Sequence, residues 1–294
     1  MEFQGTYTAI VTPFTPAGEI DWPAFDQLLD DQVKGGVTGV VPVGTTGESP
    51  TLTKEEQAAV IKRTVERCKG KVQVIAGTGS NSTKASIEAS QSAEKSGVDA
   101  IMLVCPYYNK PTQEGLFQHF VAVAESVKVP VVLYNVPGRS SIDVLPETVV
   151  RIADKCKNVL AVKEATGNVL RAQELRRRLG DRVSILCGDD ALTLAMIAVG
   201  ARGVISVASN LFPKEVSEST ALALKGEHKK ALLAHLALVP VYDSMFVEAN
   251  PGPVKFALAK KGKMSATVRG PLCELSPASA EKVGSVVAEY EAKR

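Results

Sequence analysis

A lysine at the end of an apolar run is the residue in this chain best suited to covalent chemistry. Residues 159–167 read Val-Leu-Ala-Val-Lys-Glu-Ala-Thr-Gly, so Lys163 directly follows a segment typical of a strand buried on both faces. The carboxyl ends of parallel strands face the ligand, and burial there favours the neutral amine. A neutral lysine amine condenses with a carbonyl to form a Schiff base. For this residue alone, a lysine that ends the strand and extends to solvent is the alternative.

Two more candidates lie at the end of the preceding apolar run. Tyr134 ends the run at 129–134, and Arg139 comes five residues later, after Asn-Val-Pro-Gly. If the two strands are neighbours in a barrel, Tyr134 should lie beside Lys163, where its phenol would relay protons during carbonyl attack. Arg139 would hold a substrate carboxylate with its planar fork. A buried tyrosine with a satisfied hydroxyl and a solvated arginine are the alternatives.

A glycine-flanked threonine pair, Gly44-Thr45-Thr46-Gly47, follows the apolar run at 39–43. Its backbone N–H groups and hydroxyls can converge on an anion such as a carboxylate. The alternative is a tight connection between a strand and a helix. A P-loop is excluded, because the GxxxxGK[ST] pattern is missing.

Two dipeptides of polar residues could take part in catalysis, but each has a simpler structural interpretation. Tyr107 and Tyr108 are neighbours in one loop, so at most one ring should face the local pocket. Asp189 and Asp190 follow a glycine and precede an apolar helical stretch. We interpret them as helix N-caps.

All these candidates lie at the ends of short apolar runs that alternate with amphipathic stretches, which predicts repeated βα units. The runs are 6–12, 39–43, 72–77, 100–104, 129–134, 159–163, 183–187 and 203–207. No GxGxxG follows a run, and eight unbroken units favour a closed (β/α)8 TIM barrel over a Rossmann-type sheet. We divide the chain into a catalytic barrel, residues 1–225, and a C-terminal helical appendage, residues 226–294. The appendage should cover the barrel or meet another subunit.

Composition excludes several classes of protein. The chain has 294 residues, 45% hydrophobic and 22% charged, with a formal charge of +2. This favours small-molecule substrates over a nucleic-acid or membrane partner. The first residues lack the pattern of a signal peptide, so we expect a cytoplasmic location. Five scattered cysteines without a CxxC pair should be reduced packing residues, and three histidines in helical patterns supply neither a zinc site nor a Ser-His-Asp triad.

Four strand-end segments together resemble the dihydrodipicolinate synthase family. They are Gly-Thr-Thr-Gly-Glu-Ser at 44–49, Pro-Tyr-Tyr-Asn at 106–109, Tyr-Asn-Val-Pro-Gly-Arg at 134–139 and Val-Lys-Glu-Ala at 162–165. The resemblance covers essentially the whole chain, in order and with compatible spacing. The wider group is the pyruvate-dependent class I aldolases and lyases.

The resemblance implies condensation of pyruvate with L-aspartate 4-semialdehyde, the branch step toward diaminopimelate and lysine, with no metal or organic cofactor. Lys163 would form the imine and Tyr134 would relay protons. Thr45 would link Tyr134 to Tyr108 of a neighbouring subunit, within a homotetramer built as a dimer of dimers.

The resemblance also implies how the substrates are held. Thr46 would bind the pyruvate carboxylate, and Arg139 would hold the semialdehyde end or keep Tyr108 in place. Gly188 and Ile205 would contribute backbone contacts near the pyruvate. The alternatives are an N-acetylneuraminate lyase, a 2-keto-3-deoxy sugar acid aldolase, or a family member without turnover that acts as a binding protein. Arg139 after Val-Pro-Gly favours the synthase.

Family members that lysine inhibits bind it at the dimer interface, and this chain keeps only part of that site. Ser49, Asn81 and Tyr107 match, whereas Lys54, Gln57 and Ala85 replace two histidines and a glutamate. Ala85 removes a carboxylate that would bind the ligand ammonium, and Lys54 adds a like charge. The alternative is that Lys54 and Gln57 are exposed helical residues unrelated to regulation. We predict little or no inhibition by lysine.

Overall fold

Eight parallel strands close into a barrel in chain order in the computed structural model, which describes residues 2–293. The strands are β1 (Gly5–Ala9), β2 (Gly39–Val41), β3 (Gln73–Gly77), β4 (Ala100–Val104), β5 (Val131–Asn135), β6 (Val159–Glu164), β7 (Ser184–Cys187) and β8 (Gly203–Ser206). Pairing of β1 with β8 closes the ring, with Thr6 opposite Val204. The predicted TIM barrel is confirmed.

The first strand is shorter than its apolar run at 6–12. The difference arises from hydrogen bonding. The Val11 N–H donates to the Asn210 side-chain oxygen at 3.1 Å instead of to a carbonyl of the neighbouring strand. Pro13 follows and has no N–H to continue a ladder. The apolar pattern therefore located the strand but not its end.

Helices follow the strands and form the outer layer. They are α1 (Trp22–Lys34), α2 (Lys54–Cys68), α3 (Thr83–Lys95), α4 (Gln113–Glu125), α5 (Pro137–Ser140), α6 (Pro146–Lys155), α7 (Val169–Leu179), α8 (Thr193–Ala198), α9 (Pro213–Leu224), α10 (His228–Ser244), α11 (Gly252–Lys260) and α12 (Pro277–Ala292). Helix α2 begins at a capping box, in which Thr53 and Glu56 each accept the other's backbone N–H. Helix α9 packs against β1 and β8 as the eighth barrel helix. Helices α10 to α12 lie in the proposed C-terminal region, residues 226–294.

Side chains alternate between two apolar cores, as strand geometry requires. Along β5, Val132 and Tyr134 point into the barrel, whereas Val131 and Leu133 pack against the helices. In β6, Ala161 points inward, which places Lys163, two residues later, on the inner face at the carboxyl end. The fold thus directs this amine toward the barrel mouth.

The cysteines differ from one another in burial. Four of the five cysteines are free and buried, as expected, but Cys273 is exposed, so the packing role predicted for it is wrong. It lies between α11 and α12, in a segment without regular structure. Across residues 2–293, no helix is long and apolar enough to cross a membrane.

Candidate active site

Lys163 and Tyr134 lie side by side at the carboxyl ends of β6 and β5. Their Cα atoms are partners in the strand register, and the Lys163 Nζ lies 4.1 Å from the centroid of the Tyr134 ring. Each residue is 6% exposed. The predicted adjacency is therefore observed, with the amine against an aromatic face and shielded from bulk water.

A cavity of about 170 Å³ opens above this pair at the barrel mouth. Six of the residues predicted to act in catalysis or substrate binding line it: Thr45, Thr46, Tyr134, Arg139, Lys163 and Gly188. They come from the carboxyl ends of four strands, β2, β5, β6 and β7, and from the loops that follow them. The volume is below the 300–1,000 Å³ typical of sites for drug-sized ligands. The cavity therefore suits a substrate of a few carbon atoms.

Gly188 is required by space rather than by backbone conformation. A Cβ built at this position would lie 2.6 Å from the Ala165 Cβ and 3.2 Å from the Lys163 Cε. A side chain there would clash with Ala165 and crowd the Lys163 side chain. The absence of a side chain at Gly188 thus keeps room for the amine.

Two predicted site residues lie outside this cavity. Ile205 is 1% exposed and belongs to the apolar barrel interior. Tyr108 is 88% exposed, with a left-handed φ of 72°, in the loop that follows β4. Within one chain, neither side chain reaches the barrel-mouth cavity.

Comparison with known proteins places this architecture in a family. The sequence profile of the dihydrodipicolinate synthetase family matches residues 2–290, nearly the whole chain. The chain belongs to the dihydrodipicolinate synthetase family. As a member of this family it is an enzyme of the lyase class.

Individual relatives match over nearly their full length. The 4-hydroxy-tetrahydrodipicolinate synthase of Sorangium cellulosum is 54% identical, over 100% of this chain and 98% of the relative. The structure of the same enzyme from Methylacidiphilum fumariolicum SolV has a TM-score of 0.98 at 46% identity, covering 99% of this chain and 97% of that one. The chloride-inhibited dihydrodipicolinate synthase of Acinetobacter baumannii, solved with pyruvate, has a TM-score of 0.97 at 39% identity and covers 99% of each chain.

A polar cluster behind the two strand ends supports the site in this member of the family. Glu164 and Asn135 are opposite one another in the register, directly after Lys163 and Tyr134, and point toward the helices. The Asn135 Nδ2 donates to the Asp143 Oδ1 at 2.8 Å, and the Thr166 N–H donates to Glu164 at 2.7 Å. Burial raises the pKa of Glu164. The cluster was not predicted. Strand alternation could have indicated it, because the residue after each inward-pointing side chain points toward the helices.

The two adjacent aspartates have different roles. Asp189 caps the following helical turn by accepting the Ala191 N–H at 3.1 Å, as predicted, and it also lines the barrel-mouth cavity. Asp190 is fully buried and instead accepts the N–H groups of Val207 and Ala208 at 2.9 and 3.1 Å. The interpretation of Asp190 as an N-cap is therefore wrong, because its carboxylate joins the loops after β7 and β8.

A second cavity, of about 380 Å³, is lined by most of the residues predicted to match the lysine site of inhibited family members. Those that line it are Ser49, Lys54, Gln57, Ala85 and Tyr107. Asn81 is not among the lining residues, and its carbonyl accepts the Asn109 side chain at 2.9 Å. Glu88, which lies nearly one helical turn after Ala85, also lines the cavity and pairs with the Lys54 Nζ at 3.3 Å. This carboxylate was not predicted, although its i,i+3 spacing from Ala85 on α3 placed it on the same face.

Proposed function

We propose that this enzyme condenses pyruvate with L-aspartate 4-semialdehyde, the 4-hydroxy-tetrahydrodipicolinate synthase reaction on the route to diaminopimelate and lysine. The observation that carries the proposal is the buried Lys163 amine, held against Tyr134 in a small cavity with Arg139 and two threonines. The names of the relatives and the pyruvate complex of the Acinetobacter enzyme support the same substrates.

In the proposed mechanism, the Lys163 amine attacks the keto carbon of pyruvate. Tyr134 delivers a proton to the resulting carbinol oxygen, which leaves as water, and an imine forms. Loss of a methyl proton converts the imine to an enamine, whose carbon attacks the aldehyde of the second substrate. The amino group of that substrate then displaces the lysine, which regenerates the free enzyme.

The remaining side chains hold substrates or complete the proton path. The Thr46 hydroxyl binds the pyruvate carboxylate, and the Arg139 fork binds the carboxylate of the semialdehyde. Thr45 connects Tyr134 to Tyr108 of a second subunit. Gly188 and Ile205 contribute backbone contacts near the bound pyruvate.

The choice of aldehyde tests the proposal against other activities of the superfamily. Turnover of pyruvate with L-aspartate 4-semialdehyde is compared with its turnover with sugar-derived aldehydes under the same conditions. We expect efficient condensation with the semialdehyde and little with the sugars. Preference for a sugar-derived aldehyde would instead identify an N-acetylneuraminate lyase or a sugar acid aldolase, and no turnover with either would indicate a binding protein.

The exposure of Tyr108 supports an active site shared between subunits of a homotetramer. An 88% exposed tyrosine in a loop at the strand ends can serve a neighbour's site but not its own cavity. Mixing an inactive Tyr108→Phe variant with an inactive Lys163→Ala variant should therefore restore activity through hybrid dimers. With random exchange, about a quarter of the sites would be complete.

The complementation is measured as synthase rate after subunit exchange, with each variant alone as the control. Exchange itself is followed by native mass spectrometry of the mixture, so that an inactive mixture can be interpreted. Hybrids that form and remain inactive would show that both residues act within one chain.

From the residues that line the second cavity, we predict that lysine inhibits this enzyme weakly or not at all. A charge-assisted hydrogen bond to a ligand ammonium contributes about 1.5–3 kcal/mol, so losing it at Ala85 weakens binding roughly ten- to a hundredfold. Glu88 does not simply replace the lost carboxylate, because it already pairs with the Lys54 and Lys84 amines at 3.3 and 3.9 Å. We expect at most slight inhibition at millimolar L-lysine.

The synthase rate is measured against added L-lysine for the natural enzyme and for Lys54→Ala. Lys54→Ala removes the added positive charge and leaves Glu88 with its second partner, the Lys84 Nζ at 3.9 Å. Stronger inhibition of this variant would show that the Lys54 charge opposes the ligand. Half-inhibition of the natural enzyme below millimolar lysine would contradict the prediction.

A further inference from the structure

Asn250, from the C-terminal region, reaches into the barrel-mouth cavity. Its side-chain Nδ2 donates a hydrogen bond to the Thr46 hydroxyl oxygen at 2.9 Å. The two residues are 5% and 3% exposed, and both line the cavity. They are 204 residues apart in sequence. The region predicted to be an appendage thus contacts a residue of the proposed pyruvate site.

The direction of this hydrogen bond determines what Thr46 can do. An amide N–H only donates, so the threonine oxygen is the acceptor. A hydroxyl has a single proton, and here that proton is not used by the contact with Asn250. The Thr46 O–H is therefore available as a donor toward the cavity, where a carboxylate oxygen would accept it.

We propose that Asn250 is a positioning residue that commits the Thr46 hydroxyl to donate to the carboxylate of pyruvate. The inference rests on the proposed function and adds a determinant of its specificity for a 2-oxo acid. With an acceptor at position 250, the hydroxyl proton would turn away from the substrate. The Asn250 amide thus favours a substrate with a hydrogen-bond acceptor, such as a carboxylate oxygen, opposite the Thr46 hydroxyl.

The same segment of chain is fixed to the threonine loop by a buried ion pair. The Lys255 Nζ, on α11, donates to the Glu48 Oε1, and both side chains are at most 1% exposed. The Arg269 N–H donates to the other Glu48 oxygen at 2.9 Å. Glu48 has a left-handed φ of 55°, a backbone conformation that is unfavourable for a residue other than glycine. The hydrogen bonds from Lys255 and Arg269 to its carboxylate stabilise this conformation. Asn250 and Thr46 therefore meet in a fixed geometry.

Burial of the Asn250 side chain is not explained by packing alone. Its Oδ1 is buried and has no hydrogen-bond partner within residues 2–293. An unpaired buried carbonyl is unfavourable, and an apolar side chain of similar size would avoid that cost. The contact that the amide does make is the one with Thr46, which favours a role through that hydroxyl.

The test uses Asn250→Asp, which keeps the shape but replaces the donor by an acceptor. We measure the pyruvate concentration that gives half-maximal borohydride trapping, together with kcat at saturating substrates. Half-maximal trapping should need about tenfold more pyruvate, the effect of losing one hydrogen bond to a charged group, with little change in kcat. An unchanged pyruvate dependence would overturn the proposal.

A double-mutant cycle separates the hydrogen bond from the added charge. In a Thr46→Val background, Asn250→Asp should cause little further loss, because the hydroxyl it acts through is gone. A full additional loss would show that the new carboxylate repels pyruvate directly, and the proposal would be wrong.

Asn250→Leu is the second variant if Asn250→Asp does not fold, because it removes the donor without adding charge. It should weaken pyruvate trapping severalfold, and unweakened trapping would overturn the proposal. Trapping of pyruvate by the natural enzyme is measured first. If the natural enzyme does not trap pyruvate, that result counts against the proposed function and not against the role of Asn250.

Discussion

Replacing Lys163 by alanine is expected to reduce synthase turnover by about 10⁴-fold or more, the scale on which removal of a covalent nucleophile acts. The reason is geometric, because Lys163 is the only lysine that lines the barrel-mouth cavity within residues 2–293. A water molecule cannot replace it, since the enamine requires nitrogen bound to the keto carbon. The measurement is the steady-state rate with pyruvate and L-aspartate 4-semialdehyde.

A control for this variant is Lys62→Ala, which removes an exposed lysine from α2, away from both cavities. Its rate should stay close to that of the natural enzyme. The thermal midpoint of Lys163→Ala is measured beside it, so that loss of turnover is not confused with unfolding. Turnover of Lys163→Ala above a tenth of the natural rate would remove this residue from the mechanism.

Tyr134→Phe should slow turnover by about 10²-fold or more while leaving pyruvate binding nearly intact. A positioned acid or base contributes about this much, and the substitution removes only the hydroxyl. The aromatic ring stays against the Lys163 amine, so the packing seen at 4.1 Å is retained. The two readouts are kcat and the pyruvate dependence of borohydride trapping.

The barrel contains a matched tyrosine for comparison. Tyr7 is buried in the barrel interior on β1, and its hydroxyl donates to the Gln73 side chain at 2.8 Å, away from the mouth cavity. Tyr7→Phe removes the same atom from the same core, so it should lower stability and leave kcat nearly unchanged. Equal rates for Tyr134→Phe and Tyr7→Phe would contradict a proton-relay role.

Local periodicity explains why so much of the site was predictable. Side-chain alternation is a local property of each strand, and unbroken βα repetition makes consecutive strands neighbours in the barrel. Together they place Tyr134 and Lys163 on one face at one mouth. The strand-end loops that hold Thr46 and Arg139 follow from the same pattern. The four-motif resemblance then specified chemistry that periodicity alone leaves open.

Two of the contacts that escaped prediction join segments far apart in the chain. Asn250 meets Thr46 across 204 residues, and Lys255 meets Glu48 across 207. Each residue alone looks like an ordinary helix or loop residue, so no local signal marks it. Asp190 was misassigned for the same reason, because its partners belong to the next strand-end loop rather than to its own helix.

The proposed mechanism requires that pyruvate bonds to one particular atom, the Lys163 Nζ. The enzyme is incubated with pyruvate, reduced with borohydride, digested and sequenced by mass spectrometry. We predict a reduced pyruvyl adduct on the Lys163 Nζ, absent without pyruvate and absent in Lys163→Ala. An adduct on another lysine, or pyruvate-dependent turnover with no trapped adduct, would contradict the assignment of Lys163 as the Schiff-base residue.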